Sequence, residues 1–408
     1  MAQAARARSQ KELLSSRPSD FSGANGIKLV IHESLTDLEA VWRRFEENAD
    51  CTVFQTFGWL STWQRHIGER EGVTPAIVVG RDEAGFIQFV FPLSVRKGRL
   101  VRELNWLGSD LCDYNAPLLT PSFALRVTPS RFLSLWFDIC AALQARPGTR
   151  FDFINIVKMP EAVGAQPNPM MLLAVTPHPS GAWRARLGDS WDVFYTARRS
   201  SSTRRRDRTK RNRLGEFGDV RMVDAESAHD RLATMDTLMT QKARSFARMG
   251  VGNLFAKPGH ADFYRALAAD PALNPLVHLS RLDVGTTPAA VNIGLTFGKC
   301  YYHLQASYDD GEVSKFGPGA AHLHSLMQQA IERGFHTYDF TIGDETYKRD
   351  WCDGALTLYD HIAPANWRGA LAVAPAVAAQ RLRRRIKQTP ALWSMAVKVR
   401  ALLAKLRR

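Results

Sequence analysis

One order of structural signals runs through this chain twice, and that repetition limits the possible folds more than any single motif. IKLVI (27–31) reads as a strand, and Thr36 and Glu39 have capping-box spacing ahead of a helix bearing Leu38, Val41, Trp42 and Phe45. AIVVG (76–80) and FIQFVFPLSV (86–95), joined by RDEAG, give a hairpin. Phe132, Leu135, Trp136, Ile139 and Leu143 lie at helical spacing, and FDFINIV (151–157) is a buried-looking strand. Proline-rich sequence from Pro160 to Pro179 marks a boundary. The second half then runs WRARL, a helix with the arginines of 198–213, a helix over roughly 225–248, the hairpin LVHLSRLDVG/AAVNIGLTFG, the strand YYHLQASYD, a helix, and HTYDFTIGD. FDFI at 151–154 matches YDFT at 338–341 in place and character. Internal duplication explains this order, and two β-rich α/β domains converging on it is the alternative.

With 408 residues and 45% hydrophobic content, the chain can bury two domain cores. The expected layout is a disordered tail at 1–26, a first domain at 27–180, a second at 181–365, and a basic amphipathic tail at 366–408. In that tail Leu392, Met395, Val399, Leu402, Leu403 and Leu406 recur at helical spacing beside Lys398, Lys405, Arg407 and Arg408. Such a helix can lie on an anionic membrane surface, dock on its own protein or pair with a partner.

Net charge of +14 calls for an anionic partner: a phosphate-rich ligand, an acidic membrane or nucleic acid. The run RRSSSTRRRDRTKRNR lacks interleaved aromatics, and no helix-turn-helix or zinc-finger spacing accompanies it, so nucleic acid is disfavoured. The five cysteines are scattered and never form C-x-x-C, which argues against a disulfide framework and a zinc site and fits a reduced cytoplasmic compartment. His303, His322 and His324 lack metal-ligand spacing, so no metal is expected. The N-terminus has no apolar core of a secretory signal, and LAVAPAVAA (371–379), broken by Pro375, is too short to span a membrane.

The chemistry concentrates between Tyr301 and Trp351. Gly317-Pro318-Gly319 stands where a strand gives way to a helix, and the unpaired N–H groups of a helix start can hold a phosphate; the alternative is a plain turn. Ser314, Gly317, Gly319 and Ala320 form S-x-x-G-P-G-A, which resembles the pyrophosphate loop of GNAT acyltransferases, with Ser at the usual Gln/Arg position and Pro318 removing one donor. YYHLQASYD, the Gly-Pro-Gly helix and YDFTIGDETYKRDW together resemble the CelD/BioF-like branch, found in bacterial exopolysaccharide loci and among ceramide synthases. The duplicated plan resembles the tandem GNAT folds of Fem-type aminoacyltransferases.

The resemblance implies an α/β (α+β) fold of duplicated GNAT-like domains. Each would be a mixed, mostly antiparallel sheet flanked by helices, with a basic helical tail at the end. It implies an N-acyltransferase that takes an acyl group from acyl-CoA or acyl carrier protein to a primary amine. Acyl-CoA would be a co-substrate, with no tightly bound cofactor. A sphingoid base or an envelope polysaccharide precursor would be the acceptor, with the enzyme cytoplasmic and peripheral on the inner membrane. Two alternatives stand beside it: an aminoacyl-tRNA-dependent transferase acting on a cell-wall precursor, and a non-catalytic nucleic-acid or membrane adaptor.

Amide formation from a thioester needs a base for the amine, a stabilised oxyanion and a proton for the thiolate. Asp309 is the candidate base, with Tyr308 an alternative proton donor. Lys348 matches the lysine of the Fem-type Tyr/Phe-Lys motif, with Asp344 and Glu345 beside it. Ser314, Gly317, Gly319 and Ala320 would hold the donor phosphates. Asp113 and Tyr114 would contact the acceptor.

Overall fold

The computed structural model describes residues 21–22, 26–108, 110–343 and 345–389. The first half opens with β1 (Lys28–His32), α1 (Glu39–Glu46) and α2 (Phe57–Trp63). It continues through β2 (Val73–Arg81), β3 (Ile87–Lys97), β4 (Arg102–Trp106), α3 (Pro129–Gln144) and β5 (Phe153–Pro160). The second half opens with β6 (Ala182–Arg186), α4 (Trp191–Arg198) and α5 (Ser201–Gly215). Then come β7 (Val220–Asp224), α6 (Ala228–Met249), α7 (His260–Ala269), β8 (Val277–Val284), β9 (Thr287–Phe297) and β10 (Cys300–Tyr308). The chain closes with α8 (Pro318–Glu332), β11 (Thr337–Ile342), β12 (Gly354–Leu356), β13 (Leu358–Pro364) and α9 (Trp367–Gln388).

Local chemistry sets several boundaries. Asp82 accepts from the Phe86 amide and Gly85 adopts φ +87°, which closes the turn between β2 and β3. Pro129 begins α3, where its missing N–H costs nothing. The arginine run does not form one helix: Ser200 accepts from the Thr203 amide, starting α5 and ending α4 before it. The spacing of Thr36 and Glu39 does not produce a side-chain cap; the reciprocal capping box forms instead at Thr52 and Gln55. α9 runs through Pro375, and the helical pattern read over 392–406 lies outside the described residues.

Two mixed sheets result, and both follow one plan. In the first, β1-β2-β3-β4 form an antiparallel meander, β5 joins parallel to β4, and β13 closes antiparallel to β5. In the second, β7-β8-β9-β10 form the meander, β11 joins parallel to β10, and β6 lies antiparallel between β11 and the edge strand β12. One strand therefore crosses over: β6 opens the second half and joins its own sheet, whereas β13 follows the second half and joins the first sheet. The strand Leu358–Pro364, within the expected span 181–365, thus belongs to the first sheet.

The halves also share a core. Trp59 of α2 meets Phe263 of α7 edge-on at 5.0 Å, and Phe54 meets Tyr302 at 5.9 Å. Trp59 and Phe263 are fully buried, so truncating either to alanine would cost about 3–5 kcal/mol.

Candidate active site

β10 and β11 run side by side only where Cys300–Tyr302 face Thr337–Asp339. Beyond that, β10 follows β9 to Tyr308 while β11 bends towards β6. A carboxylate causes the bend. Asp339 Oδ1 accepts the Thr341 amide at 2.7 Å, and Thr341 takes φ +58°, a strained conformation for a β-branched residue. The diverging strands open a cleft of about 660 Å³, floored by His303–Tyr308 and by Phe340–Ile342, with the start of α8 along one wall.

Asp339 also joins the halves. It is fully buried and accepts from the Tyr114 hydroxyl at 2.7 Å and from Arg184 Nε at 2.6 Å. The Arg184 guanidinium stacks 4.9 Å from the Tyr114 ring. Burial, followed by the Asp339 charge, holds the Tyr114 phenol well above its ordinary pKa. Tyr114 was expected at the acceptor; instead it is wholly buried and anchors its loop to the second half.

Its neighbour Asp113 does face the cleft. The loop carrying it is tied down by Lys158, whose Nζ donates to Cys112 O at 2.9 Å, and by Asn115, whose Nδ2 donates to Val157 O at 3.0 Å. Burial raises the Asp113 pKa above the usual carboxylate range, against opposing pulls from Lys158, a Thr341 hydrogen bond and Lys348.

Lys348 enters from a one-turn helix, Thr346–Arg349, and is 4% exposed. Its Nζ sits 2.9 Å from Glu345 Oε2 and donates to Ile342 O at 3.1 Å. Gly343 makes room for it: a Cβ there would stand 2.5 Å from Lys348 Nζ and would collide with Glu345, and φ is +150°. Lys242 of α6 lines the same cleft, its pKa lowered by burial.

The expected donor-binding residues Ser314, Gly317, Gly319 and Ala320 all line the cleft. Gly317 is left-handed at φ +68°, and its carbonyl takes back the Ala320 and Ala321 amides at 3.1 Å each. Pro318 has no N–H, so Gly319 supplies the amide left at the mouth of α8. Lys210 and Arg211 of α5 reach the same wall. Among the described residues neither makes an ion pair, whereas Arg199 beside them pairs with Asp350 at 2.8 Å and Asp207 at 3.5 Å. The cationic side chains at this loop therefore come from α5, while the mouth of α8 offers one backbone amide.

Asp309, the expected base, lies elsewhere. It accepts from the Gly311 amide at 2.9 Å and from Arg244 at 3.4 Å, so it serves as turn chemistry and an ion pair and does not line the cleft. Tyr308 lines the cleft, half exposed beside Gly319. Asp344 lies outside the described residues. His303 accepts at Nδ1 from Tyr338 and Asn292, and burial lowers its pKa to about 3; His322 bonds Ser280. Lys242 and Thr341 were missed. Lys242 follows Leu238 by four residues on the inward stripe of α6, and a lysine interrupting such a stripe is the available signal.

Residues 201–349 match the model of the acetyltransferase (GNAT) domain. The chain carries a GNAT-type acetyltransferase domain. No curated protein matches it in sequence. The crystal structure of FemX is similar over both halves, with TM-score 0.55, 12% identity, and coverage of 79% of this chain and 96% of FemX. A conserved Bacteroides thetaiotaomicron protein of unknown function is similar with TM-score 0.53 and 10% identity, covering 82% of this chain and 99% of that one. At these identities the likeness is one of fold.

Proposed function

We propose that this chain is an N-acyltransferase that moves an acyl group from acyl-CoA, or from acyl carrier protein, to a primary amine. The observation that carries the reading is that Asp113 of one half and Lys348 of the other meet in one cleft between diverging parallel strands. Asp113 takes a proton from the amine as its nitrogen attacks the thioester carbon. Lys348 stabilises the oxyanion that forms there. Collapse of the tetrahedral intermediate makes the amide bond and breaks the carbon–sulfur bond, and Tyr308 supplies the proton for the departing thiolate. Gly319, Lys210 and Arg211 hold the donor's phosphates.

The finer reading places the chain in the CelD/BioF-like branch, acting at an anionic membrane surface on a lipid amine such as a sphingoid base, or on an envelope polysaccharide precursor. The motifs of 301–351 and the excess of cations support it. Incubation with palmitoyl-CoA and sphinganine, followed by a thiol assay, tests it. Amine-dependent thiol release is expected. Absence of thiol release with every amine tried, together with transfer from a charged tRNA, would instead make it a Fem-type aminoacyltransferase.

A further inference from the structure

A second surface, outside the cleft, combines exposed apolar side chains with cations. Leu100, at the tip of the β3–β4 hairpin, is 79% exposed; Trp367 and Leu371, four residues apart on α9, are 74% and 71% exposed. Residues four apart share a helix face, so these two point the same way. The platform beneath them is fixed. Asp152 accepts from the Arg102 amide at 2.7 Å and from Asn366 Nδ2 at 2.9 Å, joining the root of the hairpin to the start of the helix. Asn366 Oδ1 caps α9 through the Gly369 amide at 3.0 Å, and Arg368 Nη2 donates to Leu100 O at 2.5 Å. Gly369 lies so close to Asp152 O that a side chain there would collide with it.

Exposed Lys97 and Arg99 precede Leu100 in the hairpin loop, and exposed Arg368 follows Trp367 and reaches the Leu100 carbonyl. No Asp or Glu occurs anywhere after Asp360, whereas α9 continues into RLRRRIK. We infer that this face docks on an anionic lipid surface, with Leu100, Trp367 and Leu371 entering the headgroup layer and Lys97, Arg99 and Arg368 meeting lipid phosphates. Exposed apolar anchors beside exposed cations, on a helix that carries no acid of its own, suit such a surface. A second copy of the chain would bring like charges together on this face, so charge complementarity selects the lipid. The inference deepens the membrane placement proposed above and assigns it to a folded platform distinct from residues 390–408.

Full-length protein and a Leu100→Ser/Trp367→Ser/Leu371→Ser variant are floated with phosphatidylcholine vesicles rich in phosphatidylglycerol. The variant should bind about tenfold less, wild-type binding should weaken with salt, and brominated lipid should quench the emission that a Trp367→Phe variant lacks. Equal binding by the triple variant, or equal quenching in Trp367→Phe, would overturn the inference. So would sedimentation showing a dimer that the triple variant abolishes while neither protein binds vesicles. Thiol release in detergent, measured separately on both proteins, reports on the acyl-transfer reading, so either idea can fail without the other.

Discussion

Asp113 must be ionised to accept a proton, so turnover should climb with pH through its pKa, which burial has moved above the usual carboxylate value. The groups that face it are Lys158, Lys348, Asp339, Tyr264 and the Thr341 hydroxyl. The Thr341 bond favours the ionised form. Thr341→Val should therefore move the acid limb of the rate profile to higher pH, and Thr341→Ser should restore it; identical profiles for all three proteins would remove Thr341 from the mechanism. Stability should run the other way. A folded pKa raised above the unfolded value adds stability at low pH, and that stability is lost as pH rises through the folded pKa. Asp113→Asn should thus lose turnover by tenfold or more yet melt roughly 1–3 °C higher at neutral pH, with the gap closing in acid. Gly343→Ala is expected to displace Lys348 and lower kcat by about tenfold with folding intact, which circular dichroism and steady-state kinetics would separate. The structure sets Lys348 in the cleft, and it stands out in the sequence because it belongs to a run that resembles a family motif. Asp309 could not be rejected there, because an acid that binds its own turn and one that faces a substrate look alike until the turn is built.

At the scale of elements, the proposed donor site draws on both α5 and α8. A Gly-Pro-Gly helix start with one amide on offer is a weak phosphate site, and on that proposal Lys210 and Arg211 compensate from the facing helix. Lys210→Gln/Arg211→Gln should raise KM for acyl-CoA about tenfold with little change in kcat, and the loss should shrink at high salt, where the wild-type contacts are screened. A fall in kcat alone would mean these cations act on the chemistry and not on the donor's phosphates. In the sequence the arginine run is conspicuous, but which of its cations reach the cleft cannot be picked out there. The cap at Ser200 sets the phase of α5, and that phase decides which side chains turn towards the cleft.

For the whole molecule, the order of strands and helices was legible because each element is written locally, in alternation and in helical spacing. The crossing of β13 was not, since LTLYDHIAP carries a strand pattern that says nothing about which sheet it will join. The Tyr114–Asp339 bond was hidden for the same reason: its partners are 225 residues apart. The crossing of β13 and the Tyr114–Asp339 bond make the two halves mutually dependent. A fragment ending at residue 180 keeps β1–β5 but leaves the β5 edge unpaired where β13 should lie, and an exposed hydrophobic edge strand invites aggregation. A fragment starting at 181 keeps β6 in its own sheet but carries β13 with no sheet to join and leaves Asp339 without Tyr114. Losing that bond alone, as in Tyr114→Phe, should cost about 1–2 kcal/mol in urea unfolding. Expressed separately, both fragments should be insoluble or show no cooperative melt. Expressed together they should co-purify with the native circular dichroism spectrum and thiol-release activity. A first fragment that alone gives a sharp thermal transition would show that its sheet closes without the borrowed strand, and the halves would then count as independent domains.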